Sequence, residues 1–453
     1  MSMFKWEVVD PEPGVAVAPH QRLPWSKTIG LGAQHVVAMF GATFVFPLVM
    51  GLDANLAIMF SGLCTILFLL ICSNKVPSYL GTSASFVASV AAIRAQGGDS
   101  ADVTGAIMVA GIVLALVGVL VHFAGARLIH RILPPAVTGA VVMLIGFNLA
   151  PVVAGVYWPQ DQWIALLTAA FMVFAAVTFP GFWSRIAVFL ALIFGYLLSF
   201  AADLVLGPIT SVLGGATEAT EHDRVSWAGV QAADWIGFPS GTLADGVDAV
   251  HGPSISLTFV LLVLPGVIAL IAENTGHVKA VAEMTGDDLD PYMGRAIGAD
   301  GLATAFASAF GGSPTTTYAE NIGVMGATRV YSTAAYYVAA AVAILLGLCP
   351  KFGAIVNATP GGVLGGITVV LYGMIGLVGA KIWVENRVDF GLPVNLVGLA
   401  AGIIIGIGNV SLQVTDDFQL GGIALGTIVV IVFFHMVAWR HRATDSGEVT
   451  RAL

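Results

Sequence analysis

Long apolar segments alternate with short polar connections along almost the whole chain of 453 residues. A transmembrane helix needs about 20 apolar residues, and most of these segments approach that length. A polar, Gly-rich stretch at 206–253 separates seven of them from seven more. The pattern predicts an all-α polytopic membrane protein with fourteen transmembrane segments. The segments are 28–50, 54–72, 77–93, 104–126, 133–154, 162–178, 184–205, 254–277, 296–312, 314–327, 332–349, 358–380, 391–408 and 420–439.

Segments three and ten, at 77–93 and 314–327, are short and broken by Pro and Gly. In each, an extended, hydroxyl-rich run follows a proline, Pro77 or Pro314. Seven spans in each half give the halves opposite orientations, which predicts a 7+7 inverted repeat in which segment three matches segment ten. Broken segments at matching places indicate a transporter's binding site near the membrane midplane. Loops near a membrane surface are the alternative interpretation.

The distribution of Lys and Arg predicts the orientation. With both termini in the cytoplasm, only Arg94, Arg224 and Lys351 of the 18 Lys and Arg residues fall outside, and cytoplasmic loops carry such an excess. We therefore predict a multi-pass protein embedded in the lipid bilayer of the cell's inner membrane. Its parts are a cytoplasmic tail at 1–27, a first repeat at 28–205, an extracytoplasmic connection at 206–253, a second repeat at 254–440 and a cytoplasmic tail at 441–453.

Composition excludes several other functions. Hydrophobic residues make up 57% of the chain and charged residues 10%, against roughly 25% charged in soluble domains. The net charge of −9, without a basic tract, gives no reason to expect a nucleic-acid partner. Cys64, Cys72 and Cys349 have neither disulfide nor zinc spacing. The sequence has no P-loop or hydrolase motif, so we expect no enzyme, no cofactor and no metal site.

Ionisable residues inside apolar segments are costly and point to functional sites. Glu273 lies at the predicted end of segment eight, and His277 follows one turn later on the same helix face. A buried carboxyl group and a nearby imidazole can exchange a proton, so the pair is a candidate for proton coupling. The alternative is that His277 only caps the helix at the cytoplasmic surface.

Glu320 is a second candidate, since it opens the short helix of segment ten beside Asn321. An acidic residue at that position also simply favours the helix dipole. However, broken helices expose free backbone N–H groups, and carboxylate oxygens accept hydrogen bonds. A planar substrate with adjacent N–H donors and C=O acceptors could hydrogen-bond both to these carboxylate oxygens and to these backbone N–H groups. A small anion fits less well, because two glutamates would repel it.

Other polar residues in apolar runs are weaker candidates. His35 in segment one and Tyr372 in segment twelve are of this kind, and most such residues are structural. Asp300 and His122 are weaker still, and the sequence assigns them no role.

A family signature occurs at residues 320–329, Glu-Asn-Ile-Gly-Val-Met-Gly-Ala-Thr-Arg. It follows the pattern Gln or Glu, Asn, any residue, Gly, four of any kind, Thr, then Arg or Lys, and resembles the nucleobase–ascorbate transporter family (nucleobase:cation symporters). The matching stretches continue, in order, in the bacterial uracil permease branch of that family. They lie at 34–43, 76–83, 273–277, 312–332 and 371–373, within a resemblance that runs from about residue 28 to 440.

The resemblance implies a fold and an assembly. Segments 1–4 and 8–11 would form a core domain, and segments 5–7 and 12–14 a gate domain. Short antiparallel β-strands would precede the half-helices of segments three and ten, with the base between them. The resemblance also implies a homodimer whose two copies pack mainly through their gate segments.

It also implies roles for individual residues. Glu273 and Glu320 would hydrogen-bond the base, and the main chain around Ala319 and Ala84 would also bind it. The implied substrate-binding residues are Glu273, Glu320, Ala319, Ala84, Tyr318 and Phe86. The implied proton-coupling residues are His277, Glu273, Tyr372 and His35.

Two residues depart from the family pattern. Ala84 stands where uracil permeases carry Phe, and Ala319 replaces a Gly just before Glu320. Loss of an aromatic wall leaves the choice of base open, whereas Glu rather than Gln at 320 favours pyrimidines. We predict proton-coupled symport of uracil into the cell by elevator-like alternating access. A purine or xanthine permease, and an inorganic-anion transporter of the same fold, are the alternatives; a channel or scaffold ranks last.

Overall fold

The computed structural model describes residues 4–12, 15–125, 133–213, 218–415, 418–420 and 422–444. The predicted cytoplasmic tail at 441–453 lies outside the described residues from residue 445 onward.

Each predicted apolar segment corresponds to one helix, so helices and segments share their numbers. The first seven are α1 (Trp25–Met50), α2 (Ala54–Ile71), α3 (Val87–Ala95), α4 (Ser100–Ala124), α5 (Pro135–Phe147), α6 (Gln162–Thr178) and α7 (Ala187–Leu206). The second seven are α8 (Leu257–Thr285), α9 (Met293–Ser308), α10 (Ala319–Thr328), α11 (Thr333–Gly347), α12 (Gly361–Glu385), α13 (Pro393–Ile407) and α14 (Gly422–Thr444).

The lengths of these helices fit a membrane protein. Within the described chain, 7 helical stretches are long and apolar enough to cross a membrane. Helix α11 and the short helix Pro350–Asn357, bent by 80° against each other, make up to 8. The other numbered helices, among them α3 and α10, are shorter or, in α14, have a shorter apolar part. The predicted all-α polytopic fold is confirmed, whereas the count of fourteen crossings stays a prediction.

Helix α8 is longer than its apolar run. The run ends near residue 277, but the helix continues to Thr285 and ends at Gly286, whose φ of 73° is left-handed. The helix is therefore longer than the apolar segment predicted at 254–277, and the interpretation of His277 as a helix cap is wrong. Residues 278–284 are partly charged, which lowers their hydropathy, but Lys, Ala, Glu and Met are good helix formers.

Glycines bring α4 and α9 together backbone to backbone. A Cβ atom added at Gly118 would lie 2.2 Å from the Gly298 nitrogen, and one at Gly301 would lie 2.3 Å from the Ala115 nitrogen. Small residues allow such close approach between membrane helices. Helix α11 packs on α1 and α2 beside this pair. Elsewhere α12 packs on α5 and α6, and α13 on α14.

Four pairs of short strands complete the described structure. The pair β3 (Leu80–Thr82) and β6 (Thr315–Thr317) lies at the centre, before α3 and α10. This agrees with the prediction of antiparallel strands before the half-helices. The others are β1 (Glu7–Val8) with β2 (Gln21–Arg22), β4 (Ile209–Ser211) with β5 (Thr220–His222), and β7 (Leu412–Thr415) with β8 (Phe418–Leu420).

The N-terminal tail is bound to the end of α10. The Val17 N–H donates to the Arg329 carbonyl (2.9 Å), and the Tyr331 N–H donates to the Val17 carbonyl (2.8 Å). The Trp6 indole N–H donates to Thr333 Oγ1 (2.9 Å). The tail therefore supplies hydrogen bonds to the connection between α10 and α11.

Candidate functional site

The central strand pair brings the two half-helices together. Leu80 pairs with Thr317, Gly81 with Thr316 and Thr82 with Thr315. Hydrogen bonds from Ser83 N–H to the Pro314 carbonyl (2.8 Å) and from Tyr318 N–H to the Tyr79 carbonyl (3.0 Å) extend the pair at both ends. Both strands are fully buried.

The first turn of α10 is partly exposed. Tyr318 precedes the helix in an extended conformation, and its side chain makes no capping hydrogen bond. The first N–H groups of a helix have no partner inside the helix. Ala319 is exposed and Glu320 half-buried in this first turn, so both predicted residues lie where a ligand could reach them.

Helix α8 positions the other predicted carboxyl group. Glu273 and His277 are one turn apart in the interior of the helix and are both half-buried. His277 Nδ1 and Thr317 Oγ1 lie 2.7 Å apart, a hydrogen bond that joins α8 to strand β6. The structure thus brings the predicted proton-coupling pair next to the predicted half-helix.

A fully buried carboxyl group extends this connection. Asn274 donates through Nδ2 to Asp300 Oδ2 (2.6 Å), and Thr317 Oγ1 donates to Asn274 Oδ1 over 3.5 Å. A chain of hydrogen bonds therefore runs from Asp300 through Asn274 and Thr317 to His277. Asp300 is 0% exposed. Sequence reasoning assigned it no role, although a carboxyl group within the Ala- and Gly-rich α9 was an available signal.

Three carboxyl groups share this region. Glu273 lies close enough to Asp300 and Glu320 for their charges to interact. None of the ion pairs found among the described residues involves these three side chains. The site therefore has an excess of acceptor oxygens, which a substrate with N–H donors or a bound proton could occupy.

Tyr318 connects the start of α10 to strand β3 and helix α1. Its side chain is 4% exposed. Its hydroxyl donates to the Thr82 carbonyl (2.8 Å) and accepts a hydrogen bond from Thr43 Oγ1 (3.1 Å). Gly81 is required beside it, because a Cβ atom there would lie 2.5 Å from the Tyr318 ring. Thr43, on α1, is a contributor that the sequence did not single out.

His35, on α1, contacts α10 through Asn321. It is 1% exposed. The Asn321 amide donates to the His35 carbonyl (2.9 Å) and lies 3.2 Å from His35 Nδ1. The His35 ring also packs on Tyr336, with 4.4 Å between ring centroids. These contacts tie α1 to the residue that follows Glu320.

Ala84 and Phe86 lie in the single 3-10 turn before α3. Ala84 is half-buried. Phe86 is 0% exposed, and its ring contacts α8 at Gly266, where an added Cβ atom would lie 2.8 Å from Phe86 Cε1. Phe86 therefore packs behind the half-helix.

Tyr372 lies on α12. It lines a cavity of about 410 Å³ together with Phe147, Trp158 and other residues of α5 and α12. Its hydroxyl is buried and has no hydrogen-bond partner among the described residues. The expected support of His277 by Tyr372 is not among the hydrogen bonds of the described chain, where His277 bonds to Thr317.

Sequence comparison assigns the family. Residues 26–415 match the Xan_ur_permease group, described as a permease family. The chain belongs to the nucleobase–ascorbate transporter family. It is therefore a multi-pass membrane transport protein and not an enzyme.

Several named relatives align over nearly the full length. The chain is 42% identical over 444 residues to the Escherichia coli protein named "Putative pyrimidine permease RutG", covering 95% of each. It is 34% identical over 428 residues to the uracil permease of Bacillus caldolyticus, covering 92% of this chain and 94% of the relative. The uracil permease of Escherichia coli is also 34% identical over 428 residues, covering 92% of each.

Solved structures share the fold. Murine Solute Carrier 26 family member A9, an anion transporter in the inward-facing state, matches with a TM-score of 0.64 at 13% identity, covering 91% of this chain and 68% of that one. The transmembrane domain of the cyanobacterial bicarbonate transporter BicA matches with a TM-score of 0.54 at 13% identity, covering 91% and 97%. These likenesses confirm the predicted inverted-repeat fold and, at such low identity, carry no statement about substrate.

Proposed function

We propose that the chain imports uracil together with a proton across the inner membrane by elevator-like alternating access. The observation that carries this proposal is the pairing of β3 with β6, which places the start of α10 beside Glu273 and His277 of α8. Relatives named uracil permease, at 34% identity over most of the chain, support the choice of substrate.

The donors and acceptors of the site suit a pyrimidine base. Uracil has ring N–H groups next to carbonyl oxygens. The carboxylates of Glu273 and Glu320 can accept from the N–H groups, while free N–H groups at the start of α10 can donate to a carbonyl. An inorganic anion would meet two acidic side chains that form none of the ion pairs found among the described residues, which argues against the anion alternative.

The hydrogen-bond chain suits a coupled proton. Thr317 Oγ1 has one proton and donates it to Asn274 Oδ1. With that proton engaged, Thr317 Oγ1 can accept from Nδ1–H of neutral His277, 2.7 Å away, and in this tautomer His277 Nε2 can take a proton. A proton shared by Glu273 and His277 would reduce the charge that the empty carrier must move across the apolar barrier.

The remaining features of the proposal concern domains and assembly. Helices α1–α4 and α8–α11 form the core that carries the base past a gate of α5–α7 and α12–α14. Both termini lie in the cytoplasm, and two copies pair through their gate helices. His35 supports the site through Asn321, and Tyr372 lines the gate side of the path.

A purine or xanthine permease remains the second candidate, because Ala84, half-buried in the turn before α3, stands where the uracil permeases that the chain resembles carry Phe. Loss of an aromatic wall removes stacking that would favour a small pyrimidine ring. Competition between bases separates the two candidates, since only a widened site accepts xanthine.

The test is uptake of radiolabelled uracil into proteoliposomes under an inward proton gradient, with unlabelled uracil, thymine and xanthine as competitors. We expect gradient-dependent uptake that excess uracil blocks and that Glu320→Gln abolishes. Glu283→Gln, at an exposed position of the same helix as Glu273, should retain uptake. Competition by xanthine but not uracil would instead favour the second candidate.

A further inference from the structure

The long connection between α7 and α8 is attached to the gate helices at its first end. Arg224 pairs with Asp161 at the start of α6 (2.7 Å) and with Asp203 near the end of α7 (3.0 Å). The Val225 N–H also donates to Asp203 (3.0 Å). The Arg224 side chain is only 10% exposed, so this attachment is largely shielded from solvent.

Trp227 is the last residue of this gate attachment. Its ring packs on Tyr196 and Phe200 of α7, with centroids 5.8 and 6.2 Å apart. These contacts hold the connection against α7 as far as Trp227.

The second end of the connection is attached to core helices. The Val230 carbonyl accepts from Lys351 Nζ (3.0 Å) in the helix Pro350–Asn357, which follows α11 and packs on α2 of the core. The Gly237 N–H donates to the Leu348 carbonyl (3.0 Å). Further along, Asp245 pairs with Arg94 at the end of α3 and accepts from Ser100 N–H at the start of α4 (2.7 Å). From Val230 onward the connection therefore follows the core.

Only Ala228 and Gly229 separate the two attachments. They belong to the short helix Ala228–Ala232. Three residue steps from Trp227 to Val230 span about 4.5 Å in a helix, at ~1.5 Å per step. Fully extended they span about 10 Å. Unwinding this turn would thus add about 6 Å of reach, and any further separation requires one attachment to break.

We propose that residues 224–237 are a tether that limits movement of the core relative to the gate to about 6 Å while both attachments hold. The inference rests on the core and gate division of the proposed function, but not on the substrate. If the connection of 48 residues at 206–253 were unattached, it would not restrict movement of the core relative to the gate. With both attachments in place, only Ala228 and Gly229 link the two domains through this connection.

The first test lengthens the tether. Inserting Gly-Ser-Gly-Ser between Trp227 and Ala228 retains both attachments and adds roughly 13 Å of reach. The matched control is the same insertion between Glu218 and Ala219, which are exposed and lie on the gate side of Arg224. Spin labels at Gln96 of the core and Trp163 of the gate, both exposed, report the distance between the domains in a Cys349→Ser background. Cys64 and Cys72 are fully buried.

We expect the insertion at Trp227 to widen the distribution of core–gate distances, while the control insertion leaves it as in the parent. Transport should change in turnover rate at unchanged substrate affinity. Equal distance distributions and equal rates in the two insertion variants would overturn the proposal. A widened distribution without any uracil uptake, in parent and variants alike, would support the tether while contradicting the proposed substrate.

The second test changes the tether in the opposite direction. A Cβ atom at Gly229 meets nothing within 4 Å, so Gly229→Ala fits and stabilises the helical turn against unwinding. The Gly-to-Ala difference of ~1 kcal/mol corresponds to a turnover slower by up to about fivefold. Gly252→Ala, also with nothing within 4 Å but outside the tether, should leave turnover unchanged. A Gly229→Ala variant as fast as Gly252→Ala would contradict the tether.

Discussion

Thr317→Val is the most informative single change in the hydrogen-bond chain. Thr317 is 1% exposed, and Val has nearly the same shape without the hydroxyl group. The change removes the partner of His277 Nδ1 at 2.7 Å and the donor to Asn274 Oδ1 at 3.5 Å. The second contact is long, so most of the effect falls on His277.

The magnitude follows from leaving one buried polar group without its partner, which costs about 1–3 kcal/mol. If the cost falls on the transporting conformation, uptake drops by about 5- to 150-fold. The pH dependence should change as well, because Nδ1 is no longer held and the proton of neutral His277 can lie on either ring nitrogen.

The assay is initial uptake of uracil between pH 5 and 8 for the parent, Thr317→Val and Thr317→Ser. The Ser variant keeps the hydroxyl and should retain both the rate and the pH profile. Nitrogen NMR of labelled histidine reports which ring nitrogen carries the proton. If the Val and Ser variants have the same rate and the same pH profile, the reasoning about the chain is refuted.

Four further outcomes follow from other contacts. Tyr318→Phe removes the hydroxyl that bonds Thr82 and Thr43 and should weaken uracil binding by about 5- to 150-fold, measured by equilibrium binding; an unchanged affinity would contradict its supporting role. Gly301→Ala places a Cβ atom 2.3 Å from the Ala115 backbone and should lower thermal stability by about 1–3 kcal/mol, whereas Gly30→Ala, with nothing within 4 Å, should not. Trp6→Phe removes the hydrogen bond to Thr333 and should speed proteolysis of the N-terminal tail by about 2- to 12-fold; equal proteolysis would mean that the bond does not hold the tail. Burial alone would raise the pKa of Asp245, but hydrogen bonds from Ser100 and Arg94 lower it to about 2; its stabilising charge is fully present above the ordinary value of 3.8 and is lost only as pH falls towards 2, so Asp245→Asn should leave the shape of the uptake profile between pH 5 and 8 unchanged.

The positions of α1–α14 were predictable from the apolar segments, because each segment must satisfy its backbone hydrogen bonds within itself in the membrane; the short helices Ala228–Ala232 and Pro350–Asn357 lie mostly in the polar connections and were not. The paired strands before α3 and α10 were predictable through the family resemblance and the repeated pattern after Pro77 and Pro314. The end of α8 was not, since hydropathy reports the membrane boundary, whereas the helix continues into polar residues as far as Thr285.

The candidate site was predictable in its carboxyl groups but not in its connections. Glu273, His277 and Glu320 are recognised by charge inside apolar runs. The link from His277 through Thr317 and Asn274 depends on which faces of α8 and β6 meet, and no sequence spacing specifies that contact. The attachment of the N-terminal tail to the end of α10 is of the same kind, because Val17 bonds through its backbone.

The most direct test of the account measures luminal pH and radiolabelled uracil in the same proteoliposomes, with no proton gradient imposed at the start. Addition of external uracil should acidify the lumen as uracil enters. Both signals should disappear in Glu320→Gln and persist in Glu283→Gln. Uracil entry without any change in luminal pH, or full activity of Glu320→Gln, would contradict proton-coupled transport through this site.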